Sequence, residues 1–231
     1  MSETKDFNNL LIKPIAYIKT NFPTKFGIPR QSNLLEKEEG IITFVDEYSK
    51  EEAIRGLEGF SHLYLIWGFS LSNENDSLTV RPPKLGGNKR VGVFASRSPN
   101  RPNPLGLSIV KIKKIEIVDK RLKITVLGAD LVSNTPIYDI KPYIPTFDSL
   151  PDAKTGYSPL KEEKRLNVNI SNELLNKLEG IKDNVIELLS YDPRPGYQHD
   201  KERIYGFYYA DKEIKFKVDG DNLYVVDIIN I

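Results

Sequence analysis

Short segments with the composition of β-strands follow one another through the first 145 residues of the chain. Each segment is rich in β-branched or aromatic residues and is bounded by residues that form turns. The segments are PIAYIKTNF, GIITFVDEY, HLYLIWGFS, RVGVFAS, LSIVKIKKIEIV and RLKITVLGADLV. A single short helix is predicted at Lys50–Leu57, with Ser49 as its cap. So many strands with one helix favour a closed or strongly curved sheet.

The pattern changes after FDSLPDAKTGYSP, a segment rich in Pro, Asp and Gly that we interpret as a linker. Apolar residues at helical spacing predict a helix over Asn172–Ser190, with Ser171 as its cap and Gly180 as an interruption. Strand candidates precede and follow this helix. The sequence therefore predicts a fold that is mainly β with a smaller α+β part. We expect a β domain over residues 1–146 and a small α+β C-terminal domain over residues 147–231.

Positive charge is concentrated in one part of the chain. Residues 77–115 contain nine of the 33 lysines and arginines and no carboxylate, whereas the remaining 24 cations accompany all 32 acids. Within this window SPNRPNPLG (Ser98–Gly106) has three prolines in six residues, which stiffen the backbone before a ligand binds. Arginine forks bind carboxylates and phosphates. The pattern favours a surface for a polyanion, with nucleic acid first, over a merely solvated run of charge.

Composition excludes several classes of protein. The chain has no cysteine and two histidines, so we expect neither disulfides nor a metal site, and we expect a cytoplasmic protein. No apolar run approaches the roughly 20 residues that span a bilayer, and the N-terminus lacks a secretory signal. Glycine-rich dinucleotide and phosphate loops are also missing from the sequence.

Two further motifs combine proline with arginine outside the basic window. FGIPRQ (Phe26–Gln31) is equally compatible with a plain loop and with a site. DPRPGY places a carboxylate, a guanidinium and a phenol within six residues. A turn that ends a helix explains its prolines but not the choice of Asp192, Arg194 and Tyr197.

Several motifs, in this order along nearly the whole chain, resemble the TrmO family of tRNA methyltransferases, also called TsaA or YaeB. They are FGIPRQ, AIRGLEGFSHLYLIW, RPPKLGGNKRVGVFASRSPNRPNPLGLS, ADLVSNTPIYDIKPYIP, SLPDA and YDPRPGY. The departures are mild, since Ser96, Leu105 and Asn134 stand where Thr, Ile and Gly are common in the family.

The resemblance implies an enzyme that uses S-adenosylmethionine to methylate N6 of threonylcarbamoyladenosine, the modified base just 3′ of the anticodon of tRNA. It implies a single-sheeted antiparallel β-barrel, a homodimer, and the tRNA anticodon stem-loop as partner. It also implies a cofactor site built from one loop, one strand end and one turn, together with the single residues Arg97 and Leu107. The implied cofactor-binding residues are Pro29, Arg30, Gln31, Ser70, Leu71, Arg97, Leu107, Leu127, Gly128, Ala129 and Asp130.

The nitrogen to be methylated has a delocalised lone pair and a proton that has to leave. We hypothesise that Asp192 or Tyr197 accepts this proton directly or through water. Selection of the modified base calls for a guanidinium that binds the threonyl carboxylate, for which Arg30, Arg101 and Arg194 are candidates.

Other residues are expected to receive the RNA. Cations of the basic window would contact phosphates, and tyrosines could stack on a loop base. The substrate-binding residues predicted in this way are Arg101, Arg194, Lys84, Lys89 and Arg90. The stacking candidates are Tyr143, Tyr197 and Tyr205, of which Tyr205 is expected to be buried in the core instead. Composition and charge alone are equally compatible with a non-catalytic β-barrel tRNA-binding module. A methyltransferase for a small molecule is a third interpretation.

Overall fold

The computed structural model of the protein describes residues 10–72, 77–82, 85, 88–157, 165–194 and 200–231. These residues form twelve strands and three short α-helices. The strands are β1 Ala16–Lys19, β2 Glu39–Phe44, β3 His62–Gly68, β4 Thr79–Val80, β5 Val91–Gly92, β6 Leu105–Val118, β7 Arg121–Leu127, β8 Thr135–Pro142, β9 Asn167–Asn169, β10 Tyr205–Tyr209, β11 Lys212–Asp219 and β12 Asn222–Asn230. The helices are α1 Pro145–Asp148, α2 Asn172–Asn176 and α3 Lys182–Ser190.

Six strands close into an antiparallel barrel in the order β1-β2-β7-β6-β3-β8. Alternate residues of β7 point into it, so Leu122, Ile124 and Val126 are fully buried as their spacing predicts. The sequence-based prediction of a β-barrel is confirmed. Barrel closure also brings the ends of β1, β3 and β7 and the starts of β2, β6 and β8 to the same rim, as the pairs Gly68–Leu105 and Glu39–Leu127 show. The loops between these strands therefore open at one end of the barrel.

The C-terminal part is a four-stranded sheet in the order β10-β11-β12-β9, with α2 and α3 packed against it. The single helix predicted over Asn172–Ser190 is wrong in one respect, because two helices occupy this range. Gly180 separates them with a φ of 83°, a left-handed conformation that glycine adopts readily. The Ser171 cap is confirmed, since its hydroxyl accepts a hydrogen bond of 3.3 Å from the Leu174 amide.

The helix predicted at Lys50–Leu57 is also wrong. The segment forms short 3-10 turns at Glu51–Ile54 and Leu57–Gly59. Ser49 does not cap them, because its hydroxyl accepts a hydrogen bond from the Leu122 amide of β7. The competing contact with the barrel explains the difference.

The loop between β1 and β2 joins the two parts of the molecule. Phe22 and Leu35 from this loop are buried in the hydrophobic core of the C-terminal part. Glu38, at the end of the same loop, is fully buried and accepts hydrogen bonds from Asn21, Asn184 and Tyr209. The N-terminal loop is thereby fixed to α3 and β10. Residue 146 as the exact boundary between two domains stays a prediction.

None of the helices within the described ranges is long and apolar enough to cross a membrane.

Candidate functional site

A cavity of about 750 Å³ lies at the end of the barrel where the loops open. Its walls come from the loop after β1, the end of β3, the loop before β6 with the start of β6, and the turn between β7 and β8. Three residues that are distant in sequence, Arg30, Arg97 and Asp130, line it together. The cavity also contains most of the other residues predicted from the motifs, namely Pro29, Gln31, Ser70, Leu71, Arg101 and Leu107.

Two hydrogen bonds connect opposite walls of the cavity. Nη1 of Arg97 donates to Oε1 of Gln31, which joins the proline-rich loop before β6 to the loop after β1. Nζ of Lys25 donates to the backbone oxygen of Leu71, which joins the loop after β1 to the end of β3. Gln31 is oriented by a further bond of 2.6 Å from its Nε2 to the backbone oxygen of Arg30. These contacts preorganise three of the four segments that form the walls.

A chain of side-chain hydrogen bonds forms the floor of the cavity. Nε1 of Trp67 donates to the Ser108 hydroxyl at 3.0 Å, and this hydroxyl donates to Oδ1 of Asp130 at 2.6 Å. Burial raises the pKa of Asp130, while the Ser108 hydrogen bond and the positive charge of Arg97 oppose this rise. The floor thus holds a carboxyl group that a cationic ligand would keep ionised.

Gly106 allows the Trp67 indole to lie flat against β6. A Cβ atom at position 106 would come within 2.3 Å of the ring. Phe69 packs edge-on against the same ring with a centroid separation of 4.3 Å. The aromatic part of the floor therefore depends on a residue without a side chain, in a strand where glycine otherwise weakens packing.

Three residues of the predicted cofactor site do not line this cavity. Leu127 pairs with Glu39 and Lys111 in the barrel wall, and Ala129 is buried in the barrel core. Gly128 is held by backbone hydrogen bonds to Asn33 and Glu38. Their visible contacts position the turn that carries Asp130. A direct contact of these three residues with a cofactor stays a prediction.

The C-terminal turn reaches the cavity wall. Nη2 of Arg30 donates to the backbone oxygen of Arg194 at 3.4 Å. The Arg194 side chain binds Asp192 through two hydrogen bonds, Nε to Oδ1 at 2.8 Å and Nη2 to Oδ2 at 2.9 Å. The hydrogen bond to Asp192 raises the pKa of Arg194, so the guanidinium stays charged. Tyr197, the other predicted catalytic residue, lies outside the described residues.

The remaining predicted RNA contacts lie beside the main cavity. Arg90 lines a second cavity of about 370 Å³ together with Arg81, Ser98 and Asn100. Its guanidinium binds Thr79 and Ser77, which are uncharged, so these contacts leave its positive charge unneutralised. Lys89 is exposed nearby. Lys84 lies outside the described residues.

Towards the end of the basic window, the positive charge is partly neutralised, because Lys113 pairs with Glu39 and Lys114 pairs with Glu116. These two of the three lysines in β6 therefore contribute less positive potential than the sequence suggests. Of the stacking candidates, Tyr205 is buried in the C-terminal core, and Tyr143 packs edge-on against His62 and Tyr64. Neither Tyr143 nor Tyr205 lines the main cavity.

Sequence reasoning missed several residues that line the cavity. Trp67 and Phe69 belong to a strand and its end, where aromatic residues are normally core, so their pattern carries no signal of a site. Phe94 was part of a quoted motif but not of a predicted site.

Among the described residues, no group of three or more His, Asp or Glu side chains is placed to hold a metal ion.

Two family models match the chain: the tRNA-methyltransferase O N-terminal domain over residues 17–149 and the TrmO C-terminal domain over residues 163–231. The chain belongs to the TrmO family. It is 37% identical over 215 residues to the tRNA (adenine(37)-N6)-methyltransferase of Escherichia coli K12, with 88% of this chain and 91% of that protein covered. It is 34% identical over 214 residues to RcsF of Pseudomonas aeruginosa, assigned to the S-adenosylmethionine-dependent methyltransferases, with 88% and 90% covered.

Solved structures agree with the sequence comparison. A TrmO crystal structure from Pseudomonas aeruginosa superposes with a TM-score of 0.79 at 27% identity and covers 99% of this chain and 100% of that one. In the present chain, the residues that line the cavity fall within the N-terminal domain match, whereas Arg194 falls within the C-terminal match. The N-terminal match therefore lines the cavity, and the C-terminal match contributes the Arg194 backbone oxygen that binds Arg30.

Proposed function

We propose that this protein methylates N6 of threonylcarbamoyladenosine at position 37 of tRNA, with S-adenosylmethionine as methyl donor. More broadly, the protein is an S-adenosylmethionine-dependent tRNA methyltransferase that acts on N6 of adenosine 37. This activity is the one for which its relatives are named. The observation that carries the finer proposal is the convergence of Arg30, Arg97 and Asp130 on one cavity, with the Arg194 turn at its wall.

The cavity fits the proposed cofactor. Its volume of about 750 Å³ lies within the range of roughly 300–1,000 Å³ for small-molecule sites. The Trp67 and Phe69 rings offer an apolar surface for a nucleoside, and Asp130 offers a negative charge to a cationic group. Arg97 and Arg30 are suited to a carboxylate. The residues proposed to bind the cofactor are Pro29, Arg30, Gln31, Ser70, Leu71, Arg97, Leu107 and Asp130, with Leu127, Gly128 and Ala129 supporting the turn.

The chain's contribution to the reaction is alignment and exclusion of water. When bound, S-adenosylmethionine would supply a methyl group whose bond to a positively charged sulfur breaks as the in-line nitrogen bonds to the methyl carbon, so that the sulfur leaves as a neutral thioether. The hydrogen bonds from Arg97 to Gln31 and from Lys25 to Leu71 hold the walls in place before a ligand binds. A preformed cavity whose mouth is covered by the bound RNA would lower the barrier of such a displacement by orientation and by removal of water.

The ion pair between Asp192 and Arg194 suggests how proton removal is linked to substrate binding. Both Asp192 oxygens are occupied by the guanidinium, so Asp192 cannot accept a proton freely while the pair is intact. A threonyl carboxylate that binds Arg194 would compete for the same donors and release Asp192. Asp192 would then accept the N6 proton as the new nitrogen–carbon bond forms. Tyr197 remains the second proposed catalytic residue.

The anticodon stem-loop would approach from the cavity mouth. Arg101 lines the main cavity and Arg90 the second one, and residues of the Ser98–Arg101 segment line both cavities. We place the substrate carboxylate near Arg194, and RNA phosphates near Arg101, Arg90, Lys89 and Lys84. A homodimer and a cytoplasmic location also belong to the proposal.

Mass spectrometry of tRNA nucleosides tests this proposal. The protein and S-adenosylmethionine are incubated with tRNA carrying threonylcarbamoyladenosine at position 37 and, separately, with the same tRNA carrying plain adenosine. We expect a methylated threonylcarbamoyladenosine in the first sample and no methylated product in the second. Methylation of plain adenosine 37 alone would overturn the finer proposal. Binding of tRNA without any methyl transfer would favour a non-catalytic binding module.

A further inference from the structure

Exposed apolar side chains surround the mouth of the main cavity. Phe94 is 77% exposed and Leu107 is 61% exposed, and Leu71 and Leu105 at the same mouth are also exposed. Single exposed apolar residues are common on protein surfaces. Four exposed apolar side chains that line one cavity instead mark a surface that another molecule covers.

Phe94 is held outward by its own loop. It lies in a 3-10 turn at Val93–Ala95, and the neighbouring Val93 is buried and anchors this turn. The Ser96 hydroxyl donates to the Val93 backbone oxygen at 2.8 Å, and Nη1 of Arg101 donates to the Ser96 backbone oxygen at 3.2 Å. The loop is therefore fixed by hydrogen bonds, while the ring at its tip points towards solvent at the cavity mouth.

Trp67 and Phe94 occupy different depths of the cavity, and this difference indicates which ligand the Phe94 ring contacts. Trp67 on the floor is buried and is fixed through Ser108 to Asp130, so a ligand deep in the cavity already has an aromatic surface. Phe94 lies at the outer edge and faces whatever arrives from solvent. Arg101 on the same loop donates to the neutral backbone oxygen of Ser96, and this contact leaves its positive charge unneutralised. An aromatic ring that lines the same cavity as such a cation suits a nucleobase attached to a phosphate backbone.

We propose that Phe94 is the stacking platform for the target purine of the RNA once that base leaves its own stack. This inference rests on the proposed function and adds a substrate-positioning residue to it. A base that reacts at its exocyclic nitrogen has to be withdrawn from its neighbours, which costs stacking energy. Stacking on a preorganised ring offsets this cost without a requirement for a particular hydrogen-bonding pattern.

The experiment compares Phe94→Leu, which keeps apolar bulk but removes the ring, with Phe94→Trp, which keeps a ring. Phe147→Leu is the matched control, because Phe147 is 79% exposed on α1 and does not line the cavity. Methyl transfer to tRNA, the affinity for S-adenosylmethionine by calorimetry, and the oligomeric state by sedimentation are measured for each full-length variant.

We expect Phe94→Leu to lower kcat/KM for tRNA by roughly ten- to a hundredfold, with unchanged affinity for S-adenosylmethionine and unchanged oligomeric state. Phe94→Trp should restore most of the loss, and Phe147→Leu should behave as wild type. A 2-aminopurine at the target position of a stem-loop RNA should gain emission when the wild type withdraws it from its neighbours, and should gain less with Phe94→Leu.

Three results would overturn the inference. Weakened binding of S-adenosylmethionine by Phe94→Leu would assign the ring to the cofactor. Dissociation of an oligomer would assign it to a contact between copies of this chain. Equal tRNA kinetics for all variants would leave the ring without the proposed role. Failure of the proposed function itself is recognised separately, because the wild-type protein would then not methylate tRNA at all.

Discussion

The Ser108 hydroxyl donates a hydrogen bond of 2.6 Å to Oδ1 of Asp130 and accepts one from the Trp67 indole. A serine in β6 thereby links the aromatic floor of the cavity to the carboxyl group whose pKa burial raises. The ionisation state of Asp130 and the position of Trp67 are coupled through one side chain. The affinity for a cationic ligand should therefore depend on pH.

Asp130→Asn should remove that pH dependence. The raised pKa means that Asp130 binds a proton more tightly than an ordinary aspartate, and a cationic ligand favours the ionised form. Wild-type affinity for S-adenosylmethionine should rise with pH through this pKa and then level off, with release of a proton on binding. The variant should bind more weakly and without a slope. Calorimetry in two buffers of different ionisation enthalpy measures the released proton, and exposed Asp46→Asn serves as the control.

Gly106→Ala should destabilise the protein because its methyl group would come within 2.3 Å of the Trp67 ring. Overpacking of this kind costs about 1–3 kcal/mol in the free energy of unfolding. Gly59→Ala is the matched control, since a methyl group there meets no atom within 4 Å among the described residues. Urea unfolding of both variants checks the difference. Equal stabilities would show that the ring shifts without cost.

Glu38→Gln should flatten the pH dependence of stability. Burial raises the pKa of Glu38 above its ordinary value of 4.5, although hydrogen bonds from Tyr209, Asn21 and Asn184 oppose the rise. The folded protein therefore binds this proton more tightly than the unfolded chain does. The stabilisation is complete below about pH 4.5 and is lost as the pH rises through the folded-state pKa.

Urea unfolding at a series of pH values measures this effect. The free energy of unfolding of the wild type should fall across that window more steeply than that of Glu38→Gln. Exposed Glu36→Gln, two residues earlier, should keep the wild-type slope. An identical slope in Glu38→Gln would show that the buried carboxyl group does not titrate there.

Arg194→Ala should lose methylation of the modified tRNA while it keeps the affinity for S-adenosylmethionine. The contact with Arg30 uses the Arg194 backbone oxygen, which the substitution leaves in place. Loss of a partly buried charge that binds a carboxylate costs roughly 2 kcal/mol or more, which corresponds to about thirtyfold or more in kcat/KM. Arg203→Ala, a change to an exposed arginine of the same domain, is the control. A collapse of cofactor affinity would assign Arg194 to the cofactor instead.

The strands and the cavity could be predicted from sequence to different extents. The alternation of apolar and polar residues in β7 and the proline-rich loops are local patterns. Both patterns predicted the local structure, because residues close in sequence determine that structure. Gly180 was recognised as an interruption from the sequence, and its left-handed φ divides the helix in two. The loss of the Ser49 cap depended on a contact with a distant strand. Trp67 escaped notice for the same reason, since only the fold places Ser108 and Asp130 beside it.

The central claim is that one cavity, with Trp67 in its floor, binds S-adenosylmethionine. Trp67 is the single tryptophan of the chain, so tryptophan emission, excited selectively over the 12 tyrosines, reports on this cavity. Titration of the full-length protein with S-adenosylmethionine should give a saturable change in Trp67 emission with the same dissociation constant as calorimetry. Arg97→Ala should weaken both signals equally. Binding detected by calorimetry with no change in Trp67 emission, or no binding by either method, would contradict the account.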